Sequence, residues 1–500
     1  MNARDSSYKQ IVKSTGIFGG VQLFSIILGI VRQKVIAILL GPAGLGLIST
    51  FQSVVDMIRS VSTLGIDTAG VKDIAASADN EEQQSFKISV FKWWVMLASC
   101  FGALLCLVFC HPISVLAFES GDYAVEIAVL AVCVFLSSLS MGQMVILQGT
   151  RHIGFMAKAN LWGNAVGLAV SLALYWFFRE KGIIPAFITG SLIMLFFSFK
   201  YSRKVKIKKC PVNTLDAFRH GLNPLRLGFF VVLVSIMETA SMLLIKAFLI
   251  RSLGEEEGLR AVGTLQPAWT ITLIYISLVL KSMGTDFFPR LCSISGNASN
   301  IRKLVNEQTY IALLVTIPIA VFMIMFAKYV LAILYSAEFL SGTTLLRWHV
   351  LGSFFKVLSW PVAFILLAKN KGLQFLLSEI VYFGVYLGVS YLIFPLLGVT
   401  SVGVAYLLSY LAYLAVVYMF VAVGYAFKWT KVNVAVCVVG IVLLFLACIC
   451  VKFFPDYVLV SGIGITALSL AFSLFMLNRV ISVSELIVKV KKKLLFCNKH

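Results

Sequence analysis

Ionisable side chains inside long apolar segments are the residues of this sequence best suited to chemistry. A charge at such a position costs roughly 2.5–3.5 kcal/mol on insertion scales, so a functional role is expected for it. Guanidinium and ammonium groups there can hold an anion through charge-assisted hydrogen bonds, which are often bidentate for arginine. Carboxylates can hold those cations in place and compete with the anion. The set comprises Arg32, Lys34, Asp56, Arg59, Glu238, Lys246, Lys281, Lys356 and Glu379.

The first two apolar spans are joined by a tight turn at residues 41–44, which predicts antiparallel neighbouring helices. From the helical rise, Arg32 lies about 13 Å below the outer end of its span and Asp56 about 20 Å below the outer end of the next. These two side chains can therefore come within reach of each other. Asp56 and Arg59 share a helix face, whereas Arg32 and Lys34 do not. A structural ion-pair cluster is the alternative to an anion site.

The second half of the chain carries two central charges and one nearer the inner face. Glu238 is central in its span, Lys356 lies about 20 Å below an outer end, and Glu379 lies about 10 Å above an inner end. Lys246 and Lys281 lie about 6 Å from helix ends, so their ammonium groups can instead snorkel to the membrane surface. Glu238 and Glu379 are equally consistent with lining a cavity and with structural pairing.

The charge balance of this set predicts the type of passenger. Basic residues outnumber acidic ones, which predicts a watery central cavity for an anion, because a cavity for cationic drugs is expected to be net acidic. Amide side chains inside the spans, among them Gln52 and Gln266, support a polar cavity. Hydrogen bonding between helices is the alternative role for these amides.

The elements that must position these residues are membrane-spanning helices. The 500 residues are 60% hydrophobic and 13% charged, about half the charged share of a soluble protein. This composition excludes a soluble enzyme, a disordered scaffold and a secreted domain. The apolar runs are about twice as long as the strands of a membrane β-barrel. They predict fourteen helical spans at about 15–40, 43–65, 88–110, 124–148, 154–178, 182–200, 225–250, 262–285, 309–334, 343–369, 372–393, 399–424, 432–453 and 457–477.

The excess of positive charge fits membrane topology. Lysine and arginine total 42 against 22 acidic residues, a net charge of +20, and they concentrate in alternate loops, which places both termini in the cytoplasm. Nucleic-acid binding is not expected. The cysteines and histidines lack metal-site spacing, so neither a metal nor another cofactor is predicted. The N-terminal stretch is expected to be a first span, not a removed signal peptide.

A basic loop after the sixth span divides the chain into lobes, as is common in transporters. The predicted fold class is an all-α polytopic membrane protein of about fourteen transmembrane helices in two lobes around a central cavity. The tail has apolar residues at helical spacing between lysines, which suits a surface helix or a plain basic anchor. The predicted parts are an N-terminal lobe (1–200), a basic cytoplasmic linker (201–224), a C-terminal lobe (225–424), two further spans (425–477) and a basic amphipathic tail (478–500).

Several short motifs, in this order and spacing, resemble the Wzx-type flippases of O-antigen and polysaccharide units. These flippases belong to the multidrug/oligosaccharidyl-lipid/polysaccharide exporter superfamily. The matching segments are Gly41-Pro42-Ala43-Gly44-Leu45-Gly46, Gln52, Gly65-Ile66, Phe288-Pro289-Arg290-Leu291, Leu367-Ala368-Lys369 and Ser378-Glu379.

The resemblance implies an exporter fold that alternates between inward-open and outward-open states. It implies that an undecaprenyl-pyrophosphate-linked oligosaccharide is moved from the cytoplasmic to the periplasmic leaflet of a bacterial inner membrane. Arg32, Arg59 and Lys356 would hold the pyrophosphate, Glu379 matches an acidic family position, and polar side chains would contact sugars. Besides the lipid bilayer and the lipid-linked glycan, a polysaccharide polymerase and chain-length machinery are candidate partners.

Two other functions compete with this hypothesis. One is a cation-coupled multidrug or metabolite antiporter of the same superfamily, which would need an acidic cavity. The other is an integral membrane glycan polymerase or glycosyltransferase, which usually carries a sizeable loop with catalytic residues. The longest predicted outer loop, about 111–123, is too short for a domain. The sequence also lacks a Walker phosphate-binding loop, so ATP-driven transport is not expected and the chain is not predicted to be an enzyme.

Overall fold

Helices make up the secondary structure of the described part of the chain. The computed structural model describes residues 3–77, 80–205, 214–294 and 297–479. In chain order the helices are α1 (Ala3–Thr63), α2 (Ile66–Ala76), α3 (Glu81–Val108), α4 (Cys110–Phe118), α5 (Ala124–Gly149), α6 (Ile153–Phe178), α7 (Ile183–Ser202), α8 (Thr214–Leu253), α9 (Glu255–Ser293), α10 (Ala298–Leu334), α11 (Thr343–Ala368), α12 (Gly372–Leu397), α13 (Thr400–Tyr425), α14 (Lys431–Phe453) and α15 (Val458–Asn478).

The fourteen predicted spans are confirmed as helical segments. Within the described ranges, eleven segments are long and apolar enough to cross a membrane. Two of them correspond to two predicted spans each: Leu28–Thr63 covers most of the second span and part of the first, and Ile153–Ser202 contains the fifth and sixth. Helix α9 supplies the remaining one. The chain is therefore a multi-pass membrane protein.

Several helices extend beyond the predicted spans because hydropathy detects only their apolar portion. Helix α9 begins at Glu255, seven residues before the predicted start at 262, and its first turn holds three glutamates. Acidic side chains stabilise a helix N-terminus, so this polar extension still folds as a helix. Helices α2 and α4 were not predicted. Helix α4 lies in a segment that was expected to be an outer loop.

Side-chain caps fix where several helices begin. The Asn80 side chain accepts hydrogen bonds from the backbone N–H groups of Glu82 and Gln83 at the start of α3. Asn297 caps α10 in the same way, and the Thr430 hydroxyl accepts the N–H of Asn433 at the start of α14. Each cap satisfies backbone donors that a helix end leaves without a partner.

A sharp bend at Gly41 divides α1 into two arms, residues 3–40 and 42–63. Gly41 has a φ of 64° and a ψ of −169°, a conformation that is open to glycine and strained for other residues. Pro42 follows at the first position of the second arm, where a helix does not need its missing N–H. The Gly-Pro pair thus ends one span and starts the next without a loop.

The chain divides into two compact units. The first contains residues 1–266 and 334–338, and the second contains residues 267–333 and 339–500. The lobe boundaries expected from the sequence stay predictions. Parts of the expected basic linker and tail, residues 206–213 and 480–500, lie outside the described residues.

Within the first unit, the second arm of α1 packs tightly against α9. A Cβ atom at Gly46 would collide with the carbonyl of Leu259, and one at Gly263 would collide with the carbonyl of Pro42. Glycine at both positions therefore allows the two backbones to touch. This packing fixes the arm that carries Gln52.

Within the second unit, α13 packs along both α11 and α12. Gly352 gives room to the ring of Tyr406, and the facing surfaces of these helices bury large side chains such as Phe354. These three helices carry Lys356, Glu379 and a group of buried tyrosines.

Candidate functional site

The first unit contains a polar cavity between the two arms of α1 and the helices α6 and α7. Its volume is about 290 Å³, at the lower end of the range for small-molecule sites. The side chains that line it include one cation, two amides and two hydroxyls. The lining residues are Leu28, Gly29, Arg32, Gln52, Gly163, Asn164, Gly167, Leu168, Ser171, Ala186, Phe187, Gly190, Ser191 and Met194.

Arg32 and Gln52 line this cavity from opposite arms of α1. They are twenty positions apart in the sequence, and the bend at Gly41 brings the two arms side by side, as the tight turn predicts. Both side chains are exposed. The Arg32 guanidinium lies near the hydroxyl of the buried Tyr175. The cavity thus combines a permanent positive charge with a neighbouring amide.

Glycine residues leave part of the cavity wall open. A Cβ atom added at Gly29, Gly167 or Gly190 would meet no atom within 4 Å. The space in front of these positions is therefore empty and not filled by neighbouring side chains. A ligand can approach the backbone here, as happens at many glycine-lined sites.

Three polar residues of the cavity, Asn164, Ser171 and Ser191, were not proposed as site residues from the sequence. Asn164 is an amide inside an apolar helix, which is a signal for a polar cavity but equally for contacts between helices. The hydroxyl of Ser171 donates to the backbone of its own helix, a local bond that the sequence does not distinguish from a ligand contact.

Asp56 and Arg59 form an ion pair on the second arm of α1. The Arg59 Nη2 and Asp56 Oδ1 atoms are 3.4 Å apart, and the side chains are 40% and 34% exposed, respectively. Their spacing of three residues places them on one face, as expected. Among the described residues, the carboxylate of Asp56 is paired with Arg59 and not with Arg32, which lines the cavity instead.

Lys246 is buried and does not snorkel. Its side chain is 2% exposed, and its ammonium donates hydrogen bonds to the Ser49 carbonyl at 2.7 Å and to the Ser53 hydroxyl at 2.8 Å. The alternative in which Lys246 snorkels to a helix end does not fit this structure, because nearby acceptors on α1 hold its ammonium inside the unit; its role in substrate binding stays a prediction.

Replacing Lys246 with methionine is expected to destabilise the protein by about 2–4 kcal/mol. Methionine fills similar space but removes the hydrogen bonds that Lys246 donates to the Ser49 carbonyl and the Ser53 hydroxyl. The measurement is thermal unfolding of the purified full-length protein in detergent. Leu244→Ala, at a position 42% exposed on the same helix, serves as the control. Equal unfolding temperatures for the lysine variant and the control would contradict the structural role.

The remaining predicted site residues of the first unit lie apart from the cavity lining. Lys34 and Gln266 are partly buried, and Glu238 is exposed. None of the three lines the cavity, so their roles stay predictions. Lys281 belongs to α9, and its side chain lies outside the described part of the structure.

In the second unit, Lys356 and Glu379 both contact tyrosines of α13. The Lys356 ammonium lies 5.3 Å from the centre of the Tyr410 ring, a cation–π distance. The Tyr413 hydroxyl donates a 2.9 Å hydrogen bond to Glu379. Both charged side chains are partly buried.

A cluster of buried tyrosines surrounds these two contacts. Tyr382, Tyr386, Tyr406, Tyr410 and Tyr413 are each at most 8% exposed. The ring centres of Tyr382 and Tyr410 lie 4.6 Å apart, and those of Tyr406 and Tyr410 lie 4.9 Å apart. The spacing of these tyrosines along α12 and α13, three or four residues, could have indicated a shared face.

On the predicted outer surface of the first unit, the connection between α4 and α5 makes polar contacts with the adjoining ends of α8 and α9. The Tyr123 hydroxyl donates a 2.6 Å hydrogen bond to Glu255, and Arg251 lies 3.6 Å from Glu119. Partial burial and the carboxylate of Glu255 both raise the pKa of Tyr123, so its hydroxyl stays protonated and keeps donating. No group of three or more metal-binding side chains occurs among the described residues.

The chain matches a known protein family. Residues 35–343 match the family model described as "Polysaccharide biosynthesis protein". Among curated proteins, the chain is 21% identical to the "Lipid III flippase" of Escherichia coli (strain K12) over 77% of this chain and 92% of that protein. It is 22% identical to the "Putative O-antigen transporter" of Shigella flexneri over 64% of this chain and 76% of that protein.

Solved structures with a similar fold include a flippase and a multidrug transporter. The "Lipid II flippase MurJ, inward closed conformation" has a TM-score of 0.70 and 17% identity, covering 92% of this chain and 98% of its own. An inward-facing "multidrug resistance MATE family transporter of the MOP superfamily" has a TM-score of 0.68 and 17% identity, covering 80% of this chain and 94% of its own. At these identities the likeness concerns the fold, and it confirms the exporter fold predicted from the sequence.

Proposed function

Because the chain belongs to the polysaccharide biosynthesis protein family, we propose that it is a flippase for lipid-linked glycans. Its substrate is an undecaprenyl-pyrophosphate-linked oligosaccharide, such as an O-antigen unit or a related surface-polysaccharide unit. The chain moves this substrate from the cytoplasmic to the periplasmic leaflet of a bacterial inner membrane by alternating access. Both termini face the cytoplasm, and no covalent bond of the substrate changes.

The main support for this proposal is the cavity lined by Arg32, Gln52 and Asn164. The barrier to flipping is the removal of water from the phosphate charges and the sugar hydroxyls. A guanidinium replaces the lost water of a phosphate with charge-assisted, bidentate hydrogen bonds. Side-chain amides offer both a donor and an acceptor to sugar hydroxyls. One cavity therefore contains groups for both parts of the head of the substrate.

The long prenyl tail needs no polar path. It can remain among the acyl chains while the head crosses the membrane, so the cavity has to accept only part of the molecule. Arg59 and Lys356 are the further basic residues proposed to contact the pyrophosphate. Asp56 would hold Arg59 by the ion pair described above and would release it when phosphate binds. Polymerase and chain-length machinery are proposed as downstream partners on the periplasmic side.

The membrane potential is expected to drive this reaction. With a negative interior, moving an anion outward is favoured by about 2.3 kcal/mol per charge per 100 mV. Two phosphate charges therefore give roughly 4–5 kcal/mol, less any countercharge that moves with them. We expect faster outward flipping as the interior is made more negative.

The experiment uses purified protein in vesicles with a clamped potential and a fluorescent undecaprenyl-pyrophosphate-linked glycan. Protein-free vesicles at the same potentials report leakage, and a cationic dye in place of the glycan tests the antiporter alternative. Flipping that ignores both the sign and the size of the potential would contradict potential-driven transport. Transport of the dye without the glycan would contradict the proposed function itself.

A further inference from the structure

Three exposed cations lie at the end of α7, and each of them rests on an aromatic ring. We call Lys200, Arg203 and Lys204 the α7 basic cluster; the first lies in the last turn of the helix and the others follow its last residue. The Lys200 ammonium lies 5.9 Å from the centre of the Phe197 ring, and the Arg203 guanidinium lies 4.5 Å from that of Phe199. Both are cation–π distances.

The third cation lies close to the rings of two helices. The Lys204 ammonium is 5.4 Å from the centre of the Tyr201 ring and 5.9 Å from that of Phe155, which belongs to the first turn of α6. The ring of His152 stacks on the same phenylalanine, with ring centres 5.8 Å apart. The basic cluster therefore extends from the end of α7 to the start of α6.

The cations of the cluster fold back along α7 instead of extending away from it. Each reaches a ring three or four residues earlier in the chain. Since α7 is predicted to run from the outer to the inner face of the membrane, folding back keeps the charges close to the membrane surface. Basic residues that serve topology alone need only lie on the cytoplasmic side.

The cluster keeps its positive charge in the described part of the structure. Among the described residues, none of its three cations lies within ion-pair distance of an acidic side chain. A ring face stabilises a cation without using its N–H donors, so those donors stay available to a ligand. Three like charges within about 6 Å along the helix axis attract an anion that can accept hydrogen bonds from them.

Packing against α5 and α6 fixes the end of α7. Tyr201 and Val205 are buried in one apolar cluster with Leu147 of α5 and Ala159 of α6. The Ser202 hydroxyl donates a 2.6 Å hydrogen bond to the side chain of Gln143 on α5. The backbone that carries the three cations is therefore held in a defined geometry, as a binding site requires.

The position of the cluster fits the headgroup layer of the bilayer. The predicted span ends at residue 200, and the polar layer on each side of the hydrocarbon core is about 5–8 Å thick. The rings of Phe196 and Phe199 are 60% and 43% exposed, so within the apolar span they face acyl chains. None of the three cations lines the cavity of the first unit. A lipid headgroup is therefore the anion that this surface meets.

We propose that the α7 basic cluster binds the phosphate of an anionic phospholipid headgroup in the leaflet predicted to be cytoplasmic. The Arg203 guanidinium offers a planar pair of donors to the phosphate, and the two ammonium groups add point charges. A zwitterionic lipid carries its own cation beside the phosphate and is therefore bound more weakly. This inference is independent of the proposed function, which depends on the cavity.

The first measurement is equilibrium binding of phosphatidylglycerol to the full-length protein in detergent, followed by native mass spectrometry. The variant of the cluster is the triple substitution Lys200→Gln, Arg203→Gln and Lys204→Gln. It is expected to bind phosphatidylglycerol about 10- to 100-fold more weakly, since each cation near an anionic lipid contributes up to about fivefold. Phosphatidylcholine should bind equally to this variant and to wild type.

The matched control removes the same amount of charge elsewhere on the predicted cytoplasmic face. It is the triple substitution Lys371→Gln, Lys428→Gln and Lys431→Gln. These lysines are exposed, and among the described contacts none of them lies over an aromatic ring. The control is expected to keep most of the affinity of wild type. Equal losses in the two triple variants would overturn the inference, because they would show an effect of net charge alone.

A single substitution tests the rings without removing any charge. Phe199→Leu removes the ring under Arg203 and is expected to weaken binding of phosphatidylglycerol by about 2- to 5-fold. Phe445→Leu, at an exposed ring of α14, is its control. Both variants keep every basic residue that directs membrane insertion, so they remain informative if a triple variant inserts poorly. Equal binding by Phe199→Leu and Phe445→Leu would overturn the site as proposed.

Undecaprenyl pyrophosphate tests the other source of a lipid phosphate. A variant of the cluster that loses phosphatidylglycerol and still binds undecaprenyl pyrophosphate would support the inference. Loss of undecaprenyl pyrophosphate with unchanged binding of phosphatidylglycerol would assign the cluster to the substrate path and overturn the inference. A wild-type protein that binds phosphatidylglycerol but not undecaprenyl pyrophosphate would contradict the proposed function and leave this inference supported.

Discussion

Replacing Arg32 with alanine is expected to reduce the flipping rate by roughly 10- to 100-fold. A hydrogen bond to a charged group is worth about 1.5–3 kcal/mol, and each 1.4 kcal/mol is about tenfold. Arg32 is the only cation among the described residues that line the cavity of the first unit. No other lining side chain can therefore replace its contact with phosphate.

The expected loss is one of function and not of folding. Arg32 is exposed within the cavity, so its removal leaves no buried charge without a partner. Flipping of the fluorescent lipid is measured in vesicles with matched amounts of protein, together with the unfolding temperature. Arg32→Lys should fall between wild type and Arg32→Ala, because lysine keeps the charge and loses the planar fork. Normal flipping by Arg32→Ala would show that the cavity does not bind the phosphate.

The sequence could predict the fold because a membrane imposes a simple rule on it. Each span needs about 20 apolar residues, and all fourteen predicted spans coincide with helices. The resemblance to Wzx-type flippases is confirmed by the family match. Polar helical ends could not be predicted in the same way. The first turn of α9, with Glu255 at its start, is as hydrophilic as a loop.

The candidate sites could be predicted only in part, because the sequence gives the depth of a side chain and not its direction. Arg32 and Lys246 are both charges inside apolar helices. Arg32 lines a cavity, whereas Lys246 of α8 is held against α1 by hydrogen bonds to Ser49 and Ser53. Small and uncharged residues were also missed. Gly167 and Gly190 line the cavity, and no atom of a neighbouring residue fills the space in front of them. This property depends on residues of other helices.

The empty space in front of Gly167 and Gly190 leads to the second prediction with a large effect. Gly167→Leu, alone or combined with Gly190→Leu, places an isobutyl group in the cavity without meeting a neighbouring atom at its Cβ. The helices should fold at least as well, because glycine is a poor helix former. A substrate head, however, must now compete with that side chain for the same space. Overfilling a packed site costs about 1–3 kcal/mol, which corresponds to binding about 5- to 150-fold weaker.

The control lies on the same helix as Gly167. Gly154 also has open space at its Cβ, but it does not line the cavity. Gly154→Leu therefore makes the same chemical change outside the site and is expected to flip the labelled lipid normally. Binding and flipping are measured for both variants at equal amounts of folded protein. If Gly167→Leu and Gly154→Leu behave alike, the substrate head does not enter this cavity. If only Gly167→Leu fails while its unfolding temperature is maintained, the loss comes from the occupied space, since the control makes the same uncharged substitution on the same helix.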